Sequence, residues 1–150
     1  MRILVSVAGL GACVLLSACG PSTPETTAPA PKKSLSRSVT FYQGQEQATK
    51  VSAPTVTINS PGYLTLTAQA EFPAAGYANL GFLPRIYAAP PPDGVYEVDV
   101  VGDKPAAGGQ VVTTVPVRGG WSHYPEARLK GVRFMAKDND ATAMLPPPAP

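Results

Sequence analysis

Tyr63-Leu64-Thr65-Leu66-Thr67-Ala68-Gln69-Ala70-Glu71-Phe72 alternates without interruption, placing Leu64, Leu66, Ala68, Ala70 and Phe72 on one side at period two. Successive side chains of an extended chain point to opposite faces, so this stretch reads as a strand with one apolar face. Asn59-Ser60-Pro61-Gly62 precedes it and residues 73–76 close it, both rich in the residues that make turns. Working outward, residues 38–42 and 55–59 alternate in the same way, and residues 77–87 form a less regular run holding Leu80, Phe82, Leu83 and Ile86. Pro90-Pro91-Pro92-Asp93-Gly94 breaks the chain. Residues 94–101 then put Val95, Glu97 and Asp99 on one face and Tyr96, Val98 and Val100 on the other. Residues 110–117 are again β-branched, with Pro116 marking an edge or a strand end. Val132, Phe134 and Ala136 alternate inward within 130–136, and residues 141–145 add a short last strand.

No stretch carries a useful helical period, although residues 125–130 could make one turn. Short strands between frequent turns, over about 110 residues, predict an all-β domain: a small immunoglobulin-like β-sandwich, with a small β-barrel as the alternative. The 18 prolines and 14 glycines agree with turns and extended chain rather than helix. The buried Trp and paired cysteines of antibody domains are not present as a set: Trp121 stands alone after Gly119-Gly120 and reads as a loop residue.

The ends of the chain have a different character. Met1-Arg2 is followed by an apolar run to Leu16, about 14 residues long and short of the ~20 that cross a bilayer as a helix. Small residues and a cysteine close it, in the order Leu16-Ser17-Ala18-Cys19. A basic start, a short apolar stretch and small residues are the parts of a secretory signal. With Cys19 in that place, the four residues resemble the lipobox of bacterial lipoproteins. The resemblance implies cleavage between Ala18 and Cys19, a diacylglyceryl group on the Cys19 sulfur, and two or three acyl chains in all. One acyl chain holds a protein to a membrane only marginally and two hold it stably, so the membrane lipid itself is the expected first partner. Gly20, where the lipoprotein sorting rule would put Asp for the inner membrane, favours the outer membrane. Four regions follow: a signal peptide over 1–18, lipidated Cys19 with a flexible tether over 19–36, the β domain over 37–145, and a Pro-rich tail over 146–150. The tether has almost no large apolar side chain and cannot offset its ordering entropy. Fully extended, its 17 or so residues would reach about 50 Å.

Composition narrows the function further. The formal charge is +2 with no charged block, which gives no footprint for nucleic acid. Cys13 lies in the apolar run and leaves with it, and acylation consumes Cys19, so no disulfide supports the domain. His123 is the one histidine, too few ligands for zinc, and no other cofactor is called for. Ser122 beside it would point away on an extended chain, and no nucleophile elbow exists, so His123 reads as a loop or interface residue. Asp138-Asn139-Asp140 lacks the Gly and final Glu of a calcium loop and reads as a polar hairpin turn. Glu97 and Asp99 lie roughly 7 Å apart on one strand face, a spacing that glycosidases use, but they read more simply as the solvated side of a half-buried strand. The chain is therefore not expected to be an enzyme.

The aromatic residues are the remaining candidates for a binding surface. Tyr77 and Tyr87 flank a run containing Arg85, and Trp121 and Tyr124 share a segment with glycine and polar flanks. Rigid aromatic side chains with an Arg anchor suit sugars and protein partners. The expectation is a lipid-anchored envelope protein acting as a binding or accessory component, with an envelope protein or peptidoglycan as partner. The alternative is a glycan- or peptidoglycan-binding module, or an enzyme inhibitor, using the aromatic surface.

Overall fold

The computed structural model describes residues 36–107 and 109–146. The signal peptide, Ala18, Cys19, the tether up to residue 35 and the tail from 147 lie outside the described residues.

The described chain is all-β: β1 (Ser36–Arg37), β2 (Gln45–Gln47), β3 (Lys50–Ser60), β4 (Tyr63–Phe72), β5 (Ala78–Pro84), β6 (Ile86–Tyr87), β7 (Val95–Asp103), β8 (Thr113–Ser122), β9 (Gly131–Met135) and β10 (Asp140–Met144). Two open sheets form a β-sandwich without barrel closure. One sheet is the antiparallel set β3-β4-β8. The other is built around β7, which pairs with β5 along one edge. Along its other edge β7 pairs first with β9, in parallel over Val95–Asp99, and then with β2, antiparallel over Val101–Asp103. β10 lies beyond β9, and β1 and β6 make a separate two-stranded ladder.

The stretch that announced the fold behaves as its pattern requires. Leu64, Leu66, Ala68, Ala70 and Phe72 of β4 are all buried, opposite Tyr96, Val98 and Val100 of β7 and Val132 and Phe134 of β9 in one apolar core. Phe82 meets Phe134 edge to face, with ring centroids 5.2 Å apart, an arrangement that adds to the area both bury. Pro61-Gly62 turns β3 into β4, with Gly62 at φ +78°, where a side chain would be strained. Gly94 at φ +74° closes the turn after the prolines by donating to the Pro91 carbonyl at 3.1 Å.

Three expectations need correction. Residues 38–42 form no strand, and only Ser36–Arg37 pair there, with Tyr87 and Ile86. Trp121 is not in a loop: it pairs with Leu64 near the end of β8 and is half-buried against the core. Glycine on both sides of the strand makes room for neighbours. A Cβ at Gly119 would lie 2.9 Å from the Phe82 ring on the core side, and one at Gly120 would collide with the Tyr63 ring on the outer side. The third correction concerns Glu97 and Asp99. They do not face water: β7 is buried on both faces, and the two carboxylates are among its most enclosed residues. The Asp138–Asp140 turn, the helical turn after Pro125 and the strand after residue 140 are where the sequence puts them.

Candidate functional site

On the outer face of the β7 sheet, cross-strand register sets Arg85, Glu97 and Arg133 in one row. Arg85 donates its backbone N–H to the Glu97 carbonyl at 3.0 Å, and Arg133 is the parallel partner of Glu97 on β9. Arg85 Nη1 and Arg133 Nη1 each lie 3.4 Å from a Glu97 carboxylate oxygen, Oε2 and Oε1 respectively. The Ser36 hydroxyl also donates to Glu97 Oε2. One step along β7, Asp99 Oδ1 accepts from Arg85 Nε at 3.0 Å, Arg85 Nη2 at 2.7 Å and Gln47 Nε2 at 2.9 Å. Asp99 is 0% exposed and Glu97 5%, which explains why each needs a cation: an unpaired charge at that depth is strongly disfavoured. Asp99 Oδ2 is buried and has no hydrogen-bond partner among the described residues. Two arginines face these two carboxylates, and at the exposed rim Arg133 also reaches Asp140 at 3.7 Å and Asp93 at 3.9 Å.

Burial pulls the Arg85 pKa down, but the hydrogen bonds and charges of Asp99 and Glu97 outweigh it and hold the guanidinium above its ordinary value. The Tyr87 phenol is pushed up, first by burial, while the Glu97 N–H that it accepts at 2.7 Å works the other way. A carboxylate pair serving as acid and base needs one free member facing a substrate. Here Asp99 is sealed, and the Glu97 oxygens are occupied by Arg85, Arg133 and Ser36.

The five aromatic and basic residues singled out in the sequence separate into two places. Tyr87, Tyr96, Trp121 and Tyr124 form a chain of tilted and edge-to-face contacts at 5.1, 6.2 and 6.4 Å, closing one end of the core. Tyr96 and Tyr124 are buried, and Tyr87 and Trp121 are half-buried. Arg85 lies two residues from Tyr87, held by its carboxylates. Tyr77 is elsewhere: it stacks on Phe72 at 4.3 Å and donates to Glu46 Oε2 at 2.7 Å. Burial first, and then Glu46, push the Tyr77 phenol up to about 12. The hydrogen bond from Tyr77, followed by Lys104 at 3.1 Å, lowers the Glu46 carboxyl. No single surface gathers all five residues.

Ser36, Gln47, Tyr96 and Arg133 are the members that sequence reasoning missed. Period two does put Arg133 opposite Val132 and Phe134, outside the core. Its parallel pairing with Glu97, 36 residues away, has no short-range signal. His123 is exposed at φ +56° and donates its N–H to the Gly62 carbonyl at 3.1 Å. Among the described residues no hydrogen bond joins it to Ser122, and no three His, Cys, Asp or Glu side chains gather as a metal site would need. A shallow recess of about 180 Å³ opens at one end of the other sheet, lined by Lys50, Val51, Ser52, Gln69, Glu71, Thr114 and Asn139. It is smaller than the ~300 Å³ at which pockets begin to enclose a small molecule.

Compared with known proteins, the chain matches no protein-family model, no curated protein and no solved structure.

Proposed function

We propose that this chain is a lipid-anchored bacterial envelope protein whose β-sandwich acts by binding, as an accessory component of an envelope assembly. The observation that carries the reading is the succession of features in the N-terminal sequence: Arg2, the apolar run, and Leu16-Ser17-Ala18-Cys19, followed at once by a Pro- and Thr-rich stretch. Two acyl chains on Cys19 would hold the mature protein at the membrane, where one alone would not. The state of the carboxylates supports binding over catalysis, because Glu97 and Asp99 are occupied by arginines rather than aimed into an open cleft. The aromatic residues weigh against a flat aromatic platform, because Tyr96 and Tyr124 are enclosed and Trp121 leans on both.

In-cell crosslinking of the tagged protein, with captured material identified by mass spectrometry, tests the reading. The expected result is reproducible capture of an envelope component that depends on residues of the β domain. Capture lost on deleting the tether alone, and unchanged when the domain is removed, would overturn it.

A further inference from the structure

The outer face of the β3-β4-β8 sheet has an unusual surface. Register sets five rows across the three strands: Lys50, Glu71 and Thr114; Ser52, Gln69 and Pro116; Thr55, Thr67 and Arg118; Thr57, Thr65 and Gly120; Ser60, Tyr63 and Ser122. Solvated sheet faces are normally studded with charge, yet no Asp, Glu, Lys or Arg occurs from Val51 to Ala70. What this hairpin presents is hydroxyl and amide groups, some already tied across strands, as Thr55 to Thr67 and Asn59 to Thr65. Lys50 and Glu71 neutralise each other at 3.6 Å at one end, where the shallow recess opens. Tyr63, 43% exposed, lies with its ring end over Gly120 at the other end. Between them stands Arg118, exposed and, among the described residues, without an ion-pair or hydrogen-bond partner. A β-bulge at Ala53, φ +47°, shifts the register between Ser52 and Thr55 beside the recess. Bulges recur where a strand re-aims side chains near a site.

The shape is as selective as the chemistry. Four row steps of about 6.8 Å make the strip about 27 Å long, and two strand spacings of about 4.8 Å make it about 10 Å wide. A strip that long and narrow suits one extended polymer better than a globular surface. Uncharged donors and acceptors in rows, an aromatic ring at one end and a lone guanidinium match a chain of sugars with hydroxyls, amides and an occasional carboxylate. Sugar rings lie on aromatic faces, and a guanidinium takes a carboxylate in a bidentate grip.

We infer that this face binds a carboxylate-bearing amino-sugar polymer, the chemistry of the cell-wall glycan and its acidic side groups. Arg118 holds a carboxylate, Tyr63 underlies a sugar ring, and the Thr, Ser and Gln69 rows meet hydroxyl and amide groups. The inference rests on the envelope reading and gives that reading a partner.

The test is cosedimentation of the purified, detergent-solubilised full-length protein with isolated cell-wall sacculi, with chitin as an uncharged amino-sugar polymer for comparison. Wild-type protein is expected to pellet with sacculi and to bind chitin more weakly. Arg118→Glu should weaken sacculus binding at least about tenfold, the scale of one charge-assisted hydrogen bond, and Tyr63→Ala should weaken binding to both polymers. Lys137→Glu, a charge change at an exposed residue outside this face, should change nothing. Far-UV circular dichroism checks that each variant is folded. Wild-type protein left in the supernatant, or Arg118→Glu binding as well as wild type, overturns the inference. Equal affinity for chitin overturns the carboxylate role of Arg118. Because the assay uses no membrane, it is blind to whether Cys19 is acylated, and the two readings fail separately.

Discussion

Replacing Arg85 with Met keeps most of the side chain's apolar stem and removes its charge. Arg85 gives Asp99 two hydrogen bonds, at 3.0 and 2.7 Å, and reaches Glu97 at 3.4 Å. Without it, Asp99 keeps one neutral donor, Gln47 at 2.9 Å, and remains fully enclosed. Glu97 still has Arg133 at 3.4 Å. Removing one partner of a buried ion pair costs about 3–5 kcal/mol, chiefly because the other charge is stranded, whereas an exposed pair is worth about 0–1 kcal/mol. Arg85→Met is therefore expected to lose about 3–5 kcal/mol. Arg133→Met should lose only about 1 kcal/mol, because Arg133 is 35% exposed and Glu97 would keep Arg85. Changing both sides, Arg85→Met with Asp99→Leu, should recover most of the loss, since apolar packing replaces a buried pair at little cost. Urea unfolding followed by the fluorescence of Trp121, the one tryptophan, measures all three. A loss under about 1 kcal/mol for Arg85→Met, or a double variant weaker than the single one, would refute the account of a sealed charge row.

Other outcomes follow from the same structure. Gly94→Ala should cost about 2 kcal/mol or more, because the residue sits at φ +74° with its Cβ site 2.8 Å from the Arg128 carbonyl. Gly44→Ala, at φ +92° in open space, should cost only about 1 kcal/mol, and equal losses on urea unfolding would remove the contact from the argument. Tyr77 ionises at about 12 when folded against 10.0 as an isolated side chain, so its contribution is complete below pH 10 and is lost as pH rises towards 12. Tyr77→Phe should flatten that alkaline decline in urea midpoint, and an unchanged slope would assign the decline to other groups. Cys19→Ala should move the protein from the membrane to the soluble fraction, and retention in the membrane would place the anchor elsewhere.

How far the sequence could be read depended on which forces act locally. Alternation in 63–72 shows the core face of β4 because a buried face demands apolar residues at period two, whatever the neighbouring strand is. The same count correctly separates Glu97 and Asp99 from Tyr96, Val98 and Val100, but it cannot say what lies over each face. That is settled by Arg85, Arg133 and Gln47, which arrive from other strands through pairings without a local signature. The parallel β7–β9 pair is the clearest case, since a hairpin would have been signalled by its turn, whereas this pair joins strands about 30 residues apart. Residues 38–42 show the opposite failure: alternation is present, but the backbone makes no ladder there and the segment crosses to β2 without becoming a strand. Gly119 and Gly120 give Trp121 the local look of a loop residue. Their actual role is to admit Phe82 on one side of β8 and Tyr63 on the other.

Mass spectrometry of the N-terminal peptide of the mature protein, purified from membranes, tests the central claim most directly. The account predicts a chain beginning at Cys19, with the mass of a diacylglyceryl group on its sulfur and none of residues 1–18 attached. A mature chain that retains residues 1–18, or begins elsewhere with Cys19 as a free thiol, would contradict it.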